Sequence, residues 1–358
     1  IIYQTFDINE IMLTKIERGH EDFDVVCPSE YIIERMMKKG ILQPINRDFG
    51  NTPDYIPNLA PYIQEELNKM SFDERKVTDY AVAYMWGTAG VLYNKGLVTE
   101  EEALTCGSLW DPKFNNKILM KDSYRDCYGL SIIYANTERL QKGEVTVEQL
   151  MNDNSKDAIV MAEEYLKMMK PNIAGWEADF GKEMMTKGKA WLNFTWSGDA
   201  VWAIEEAAAV DVELDYVVPI EGSNVWFDGW VIPKYARNVK AASYFINYMC
   251  KPENAIRNMD YIGYVSAIGG DEVLESMVNP EEFDAIDVSY FFGDKADSVH
   301  INPIMFPDQR VMSRCGMMHD KGTEELLRMW SRVKGDNASA WTYILICLVF
   351  AGLIAAVI

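Results

Sequence analysis

The sequence is poor in the residues that hold metals or form redox pairs. It has three histidines, His20, His300 and His319, and six cysteines, Cys27, Cys106, Cys127, Cys250, Cys315 and Cys347. No two cysteines form a CxxC pair, and no histidine lies near enough in sequence to complete a zinc pattern. A metal-organised core is therefore excluded and no cofactor is expected. The cysteines read as small buried residues, with room for one disulfide. A nucleophile elbow and a phosphate-binding glycine loop are both missing, which argues against hydrolases and nucleotide enzymes. Positive charge is scarce as well: 34 Lys and Arg against 55 Asp and Glu leave a formal charge of −21. Such a surface repels phosphates and excludes nucleic acid as a partner. Internal repeats and low-complexity tracts are not evident.

What the chain does have is length and aromatic rings. Its 358 residues exceed what one simple core holds, so two lobes are expected. Ten Trp and nineteen Tyr supply material for a stacking pocket as readily as for a core. The stretch Val225-Trp226-Phe227-Asp228-Gly229 sets a ring and a carboxylate two residues apart. On an extended segment, residues two apart share a face. Trp226 and Asp228 could then meet an organic ammonium together, the ring through its quadrupole and the carboxylate through charged hydrogen bonds. The plainer alternative is a buried strand whose Trp packs inside and whose Asp caps a turn.

In chain order, residues 1–6 read as a short strand. The chain opens without Met, so missing upstream sequence is expected. Asp24-Val25-Val26-Cys27 reads as a strand stopped by Pro28, with Ser29 capping a helix that runs to about Lys39 and Gly40 ending it. A strand end feeding a helix is where open α/β sheets bind ligands, which makes Ser29 and Tyr31 candidates. Lys117 to Met120 reads as a strand, with Ser123 and Asp126 at the start of the helix behind it. Asp126 either suits the helix dipole or faces a cleft. Trp191 to Thr195 reads as a buried strand, and Trp196 and Asp199 fall on the turn into the next helix, a second Trp-plus-carboxylate pair. Glu163 and Glu164 read as a solvated helix face. Asn193-Phe-Thr195 and Asn337-Ala-Ser339 match the glycosylation triplet. Residues 341–358 form an uncharged apolar run, at the lower limit for a bilayer of about 30 Å.

Five motifs together resemble, in order, those of the polyamine-binding proteins of ABC transporters. They are Asp24-Val-Val-Cys-Pro-Ser-Glu-Tyr31, Tyr84-Met-Trp-Gly87, Phe194-Thr-Trp-Ser-Gly-Asp199, Val225-Trp-Phe-Asp228 and Ile262-Gly-Tyr264. The resemblance covers about residues 1–334. It implies an α/β fold of the two-lobed periplasmic-binding-protein type II class, closing on its ligand at a hinge. Residues 1–83 and 227–290 would form lobe 1, and 84–226 and 291–335 lobe 2. Residues 338–358 would add a C-terminal hydrophobic helix crossing the membrane. By motif match, Tyr31, Trp196, Trp226 and Tyr264 would be slot walls. Asp126, Asp199 and Asp228 would hold ammonium groups, and Ser29 would add a hydroxyl. Ser123 stands where some members carry another acid, which favours a diamine over a triamine.

Two features depart from the family's pattern. An earlier aromatic and acidic strand that lines the family's site is absent from this sequence, and the chain continues past the family's usual last helix. The implied function is extracytoplasmic capture of putrescine or spermidine, without covalent chemistry, for an ABC permease. The alternatives are a membrane-tethered amine-sensing ectodomain, the same fold with another cationic ligand, and an enzyme with paired carboxylates. Anions rank low because the candidate positions are acidic.

Overall fold

A computed structural model describes residues 1–335 except Asp7, His20, Glu21, Ser71 and Asp179. Two long antiparallel strands organise it, Ala81–Asn94 and Ser223–Pro233. They pair from Ala81 opposite Val231 to Thr88 opposite Val225, with an irregularity between Ala83 and Met85. From Ala89 onward the first strand changes partners. Ala89 faces Trp196 and Tyr93 faces Leu192 on the strand Leu192–Trp196, while Val91 faces Val217 on Leu214–Val217. This one strand, buried almost throughout, joins the two halves of a nine-stranded sheet. Beyond it, Ile118–Lys121 runs parallel to both Leu192–Trp196 and Ile173–Glu177.

The apolar side chains divide at the same point. Trp86, Phe227, Ile32, Met36 and Phe291 belong to one buried cluster. Ala89, Val91, Phe194, Met120 and Tyr128 belong to a second, and Leu92, Leu119 and Ala203 to a smaller third. Phe291, Phe306 and Met317 lie in the first cluster, whereas Met318 and Met329 lie in the second. The chain thus passes from the first cluster to the second at 317–318. The final helix Thr323–Gly335 docks on the second cluster. There the Arg332 guanidinium donates to both carboxylate oxygens of Glu163, at 2.6 and 3.0 Å. Glu163, expected on a solvated face, is 9% exposed because that helix covers it.

Several local expectations shift in the same way. Residues 1–6 pair with no strand among the described residues, and Ile1, Ile2 and Tyr3 are exposed. Residues 24–27 make only the bridge Val26 to Val231 instead of a strand. Cys27, Cys106, Cys127, Cys250 and Cys315 are free thiols. Asn193 is 1% exposed in its strand, so its glycosylation triplet is out of reach of modifying enzymes. Cys347, the Asn337 triplet and the apolar run 341–358 lie outside the described residues. Among the described residues no helix is long and apolar enough to cross a membrane. The terminal membrane helix expected from the sequence therefore has no counterpart there.

Candidate functional site

The partner change in Ala81–Asn94 builds the aromatic part of the site. Met85 is opposite Asp228, Gly87 opposite Trp226 and Ala89 opposite Trp196. Alternate residues share a face, so one strand face brings Asp228, Trp226 and Trp196 to the same side. Gly87 and Ala89 leave room for the rings. The Trp196 and Trp226 centroids are 6.1 Å apart with planes at 60°, and Trp226 meets Tyr264 at 5.6 Å and 63°. Both are edge-on arrangements. Along Ser223–Pro233, burial alternates with period two. Val225, Phe227 and Val231 enter the core, while Trp226 and Asp228 stay half-buried on the other face.

The carboxylates surround these rings. Asp126, 5% exposed, lies in the first turn of the helix Tyr124–Ala135, whose N-cap is Ser123. Trp196 Nε1 donates to Asp126 Oδ2 at 3.1 Å, and Asn224 Nδ2 donates to Asp126 Oδ1 at 3.1 Å. Asp228 accepts from Ser29 Oγ at 2.7 Å, and Ser29 Oγ accepts in turn from Asn9 Nδ2 at 3.0 Å. Ser29 is the N-cap residue of Glu30–Lys38 yet makes no side-chain cap bond, because its hydroxyl is engaged by Asp228. Among the described residues, no Lys or Arg pairs with Asp126 or Asp228. Burial consequently pushes the Asp228 carboxyl up to about 6, with the Ser29 hydrogen bond opposing. Glu30 is pushed up to about 7 by burial, against the attraction of Arg125.

Two expected members stand differently. Asp199 is not open to a ligand, because Lys121 Nζ lies 2.6 Å from its Oδ2 and Lys182 Nζ 3.4 Å from its Oδ1. Tyr31 is 7% exposed, donates its hydroxyl to Glu10 Oε1 at 3.0 Å, and carries the Arg125 guanidinium 4.0 Å from its ring centre. Its ring is therefore covered by a protein cation. Arg125 also donates to Glu30 Oε1 at 3.0 Å, joining a helix of the second cluster to one of the first. Ser123 acts as a cap: its Oγ accepts from the Asp126 N–H at 3.3 Å.

The model of the bacterial extracellular solute-binding protein family matches residues 2–270, three quarters of the chain. The chain belongs to that family. Over 265 residues the solute-binding protein is 28% identical to the spermidine/putrescine-binding periplasmic protein of Salmonella typhimurium, covering 74% of this chain and 69% of the relative. A solved spermidine/putrescine ABC transporter protein of Listeria monocytogenes is 31% identical with a TM-score of 0.72, covering 93% of this chain and 90% of that one. The spermidine/putrescine ABC transporter substrate-binding protein of Streptococcus pneumoniae is 29% identical with a TM-score of 0.68, at 93% and 90% coverage. The fold is therefore the α/β periplasmic-binding-protein fold.

Sequence reasoning passed over four residues of the solute-binding protein's site: Lys121, Arg125, Glu177 and Asn224. Asn224 carried a usable signal, since it stands two residues before Trp226 on the same strand face. The other three are set by strand register and helix packing that no local pattern reveals.

Gly198 supplies a structural test of the site. A Cβ there would lie 2.3–2.4 Å from Tyr264 ring carbons. In an ordinary helix interior Gly→Ala stabilises by about 1 kcal/mol. Here the expected sign is reversed: Gly198→Ala should destabilise by about 1–3 kcal/mol through overpacking and displace Tyr264 from Trp226. A lowered melting temperature with weakened ligand binding would agree. A raised melting temperature would show that Tyr264 does not pack on Gly198.

Proposed function

We propose that this protein captures a linear polyamine, putrescine or spermidine, between its two lobes and delivers it to an ABC permease on the extracytoplasmic side. One observation carries the reading: two sequestered carboxylates, Asp126 and Asp228, flank a group of aromatic rings with no basic partner of their own. An ammonium has donors only, so it seeks acceptors. Besides the two carboxylates, Asn224 Oδ1 and Glu30 Oε2 are buried acceptors with no donor. Leaving such groups unpaired is costly, and an amine ligand would satisfy them. The methylene chain between the amines would lie against Trp196 and Trp226, where cation–π contacts add about 0.5–2 kcal/mol each. An anion would meet the wrong sign of charge. The relatives named as spermidine/putrescine proteins support the same reading.

We draw the lobes along the buried clusters. The chain crosses between Trp86 and Ala89, again between Val218 and Val225, and finally between Met317 and Met318. The Arg125–Glu30 contact closes one lobe on the other. Tethering to the membrane rests on the composition of residues 341–358 alone. Calorimetric titration with putrescine, spermidine and glutamate tests the function. Saturable heat with an amine and none with glutamate is expected. Binding of glutamate, or of neither amine by folded protein, would refute it.

A further inference from the structure

Lys121 ends the strand Ile118–Lys121 and is 1% exposed. Its register partner on the neighbouring parallel strand is Glu177, and Trp196 ends the strand on the other side. Lys121 Nζ donates to Asp199 Oδ2 at 2.6 Å and to the carbonyl oxygen of Ala178 at 2.9 Å, and it stands 3.1 Å from Glu177 Oε1. An ammonium has three donors, and these three acceptors use them all. The same nitrogen lies 4.4 Å from the Trp196 ring centre, within cation–π range. A buried ammonium on a tryptophan, backed by carboxylates, is the environment a polyamine ammonium would require. Here the chain fills it with its own side chain.

The charge count of this corner follows. Lys121 stands against both Glu177 and Asp199, and Lys182 reaches Asp199 as well, so this corner already holds two cations. On the other side of Trp196, Asp126 is held by neutral donors, and Asp228 by Ser29. We propose that Lys121 is a tethered ammonium that occupies one end of the slot and makes the protein selective for diamines over triamines. This rests on the amine-binding reading above. A diamine can place its two charges on Asp126 and Asp228. The third ammonium of a triamine would be desolvated beside a corner that already contains two cations, an unfavourable arrangement that discriminates against it. A residue that merely held the strand ends together would affect all ligands alike.

The test is calorimetric titration of the whole chain and of Lys121→Met with putrescine and spermidine at pH 7.5. Wild type should bind putrescine at least about tenfold more tightly than spermidine, and Lys121→Met should shift that ratio toward spermidine by at least about tenfold. Lys121→Gln keeps donors for Asp199 and Glu177 while removing the charge. It should shift the ratio the same way, and it carries the test if the Met variant does not fold. Wild type that prefers spermidine, or a ratio unchanged in a folded variant while both affinities fall together, overturns the role of Lys121 and leaves amine binding standing. Wild type that binds neither amine refutes the amine reading itself.

Discussion

Asp228→Asn is expected to abolish most polyamine affinity while making the ligand-free protein more stable. The binding loss follows from removing one partner of a buried ion pair, which costs about 3–5 kcal/mol, or at least about 100-fold in affinity. The stability gain follows from linkage. Burial raises the Asp228 carboxyl from 3.8 to about 6. A carboxyl with a raised folded-state pKa contributes its full stability below pH 3.8 and loses it as pH rises through about 6. At neutral pH the wild-type fold therefore carries an unfavourable charge worth about 3 kcal/mol. Asparagine removes that charge and can still accept from Ser29. Thermal denaturation and titration of the variant should move in opposite directions. Reduced stability together with wild-type affinity would show that Asp228 is a structural carboxylate and that the slot lies elsewhere.

Trp226→Ala should move both quantities the same way. Trp226 is the middle ring of three, touching Trp196 on one side and Tyr264 on the other. Its loss removes a cation–π face worth up to about 2 kcal/mol when desolvated, about thirtyfold in affinity. It also removes edge contacts of about 0.5–1.5 kcal/mol each and leaves a void, so the fold should weaken by about 2–4 kcal/mol. The indole Nε1 makes no hydrogen bond, so aromatic area alone is lost. Trp226→Phe should recover much of both, because it keeps a ring face in place. Titration and melting of the pair separate the two effects. An alanine variant with wild-type affinity would remove Trp226 from the slot.

Local periodicity made one half of this site legible. Trp226 and Asp228 sit two apart in the sequence, and the strand presents them on one face. Alternation also placed Trp196 and Asp199 at a strand-to-helix turn. It could not show that Ala81–Asn94 changes partners after Thr88, which is the step that brings the two Trp residues together. Nor could it show which charges are already answered. Asp199 reads like Asp228 in sequence, yet it receives the ammonium of Lys121, which parallel register sets beside Glu177, whereas Asp228 receives a serine. Tyr31 follows the same lesson. Its position after Ser29 was legible, but the arrival of Arg125 over its ring depends on how a helix of the second cluster meets one of the first. The family resemblance supplied the fold and pointed to the proposed ligand class, while the fate of each charge required three dimensions.

The central claim is that a cation binds where Asp228 must be ionised. The most direct measurement is putrescine titration at pH 7.5 and pH 5.0, with heats at pH 6 compared in buffers of different ionisation enthalpy. Near pH 6 a bound cation should draw protons off Asp228 and its neighbour Glu30, both of which burial holds above the usual carboxylate range. The account predicts affinity at least about tenfold weaker at pH 5.0 and a buffer-dependent heat marking proton release. Equal affinity at both values, with no proton released, would contradict it.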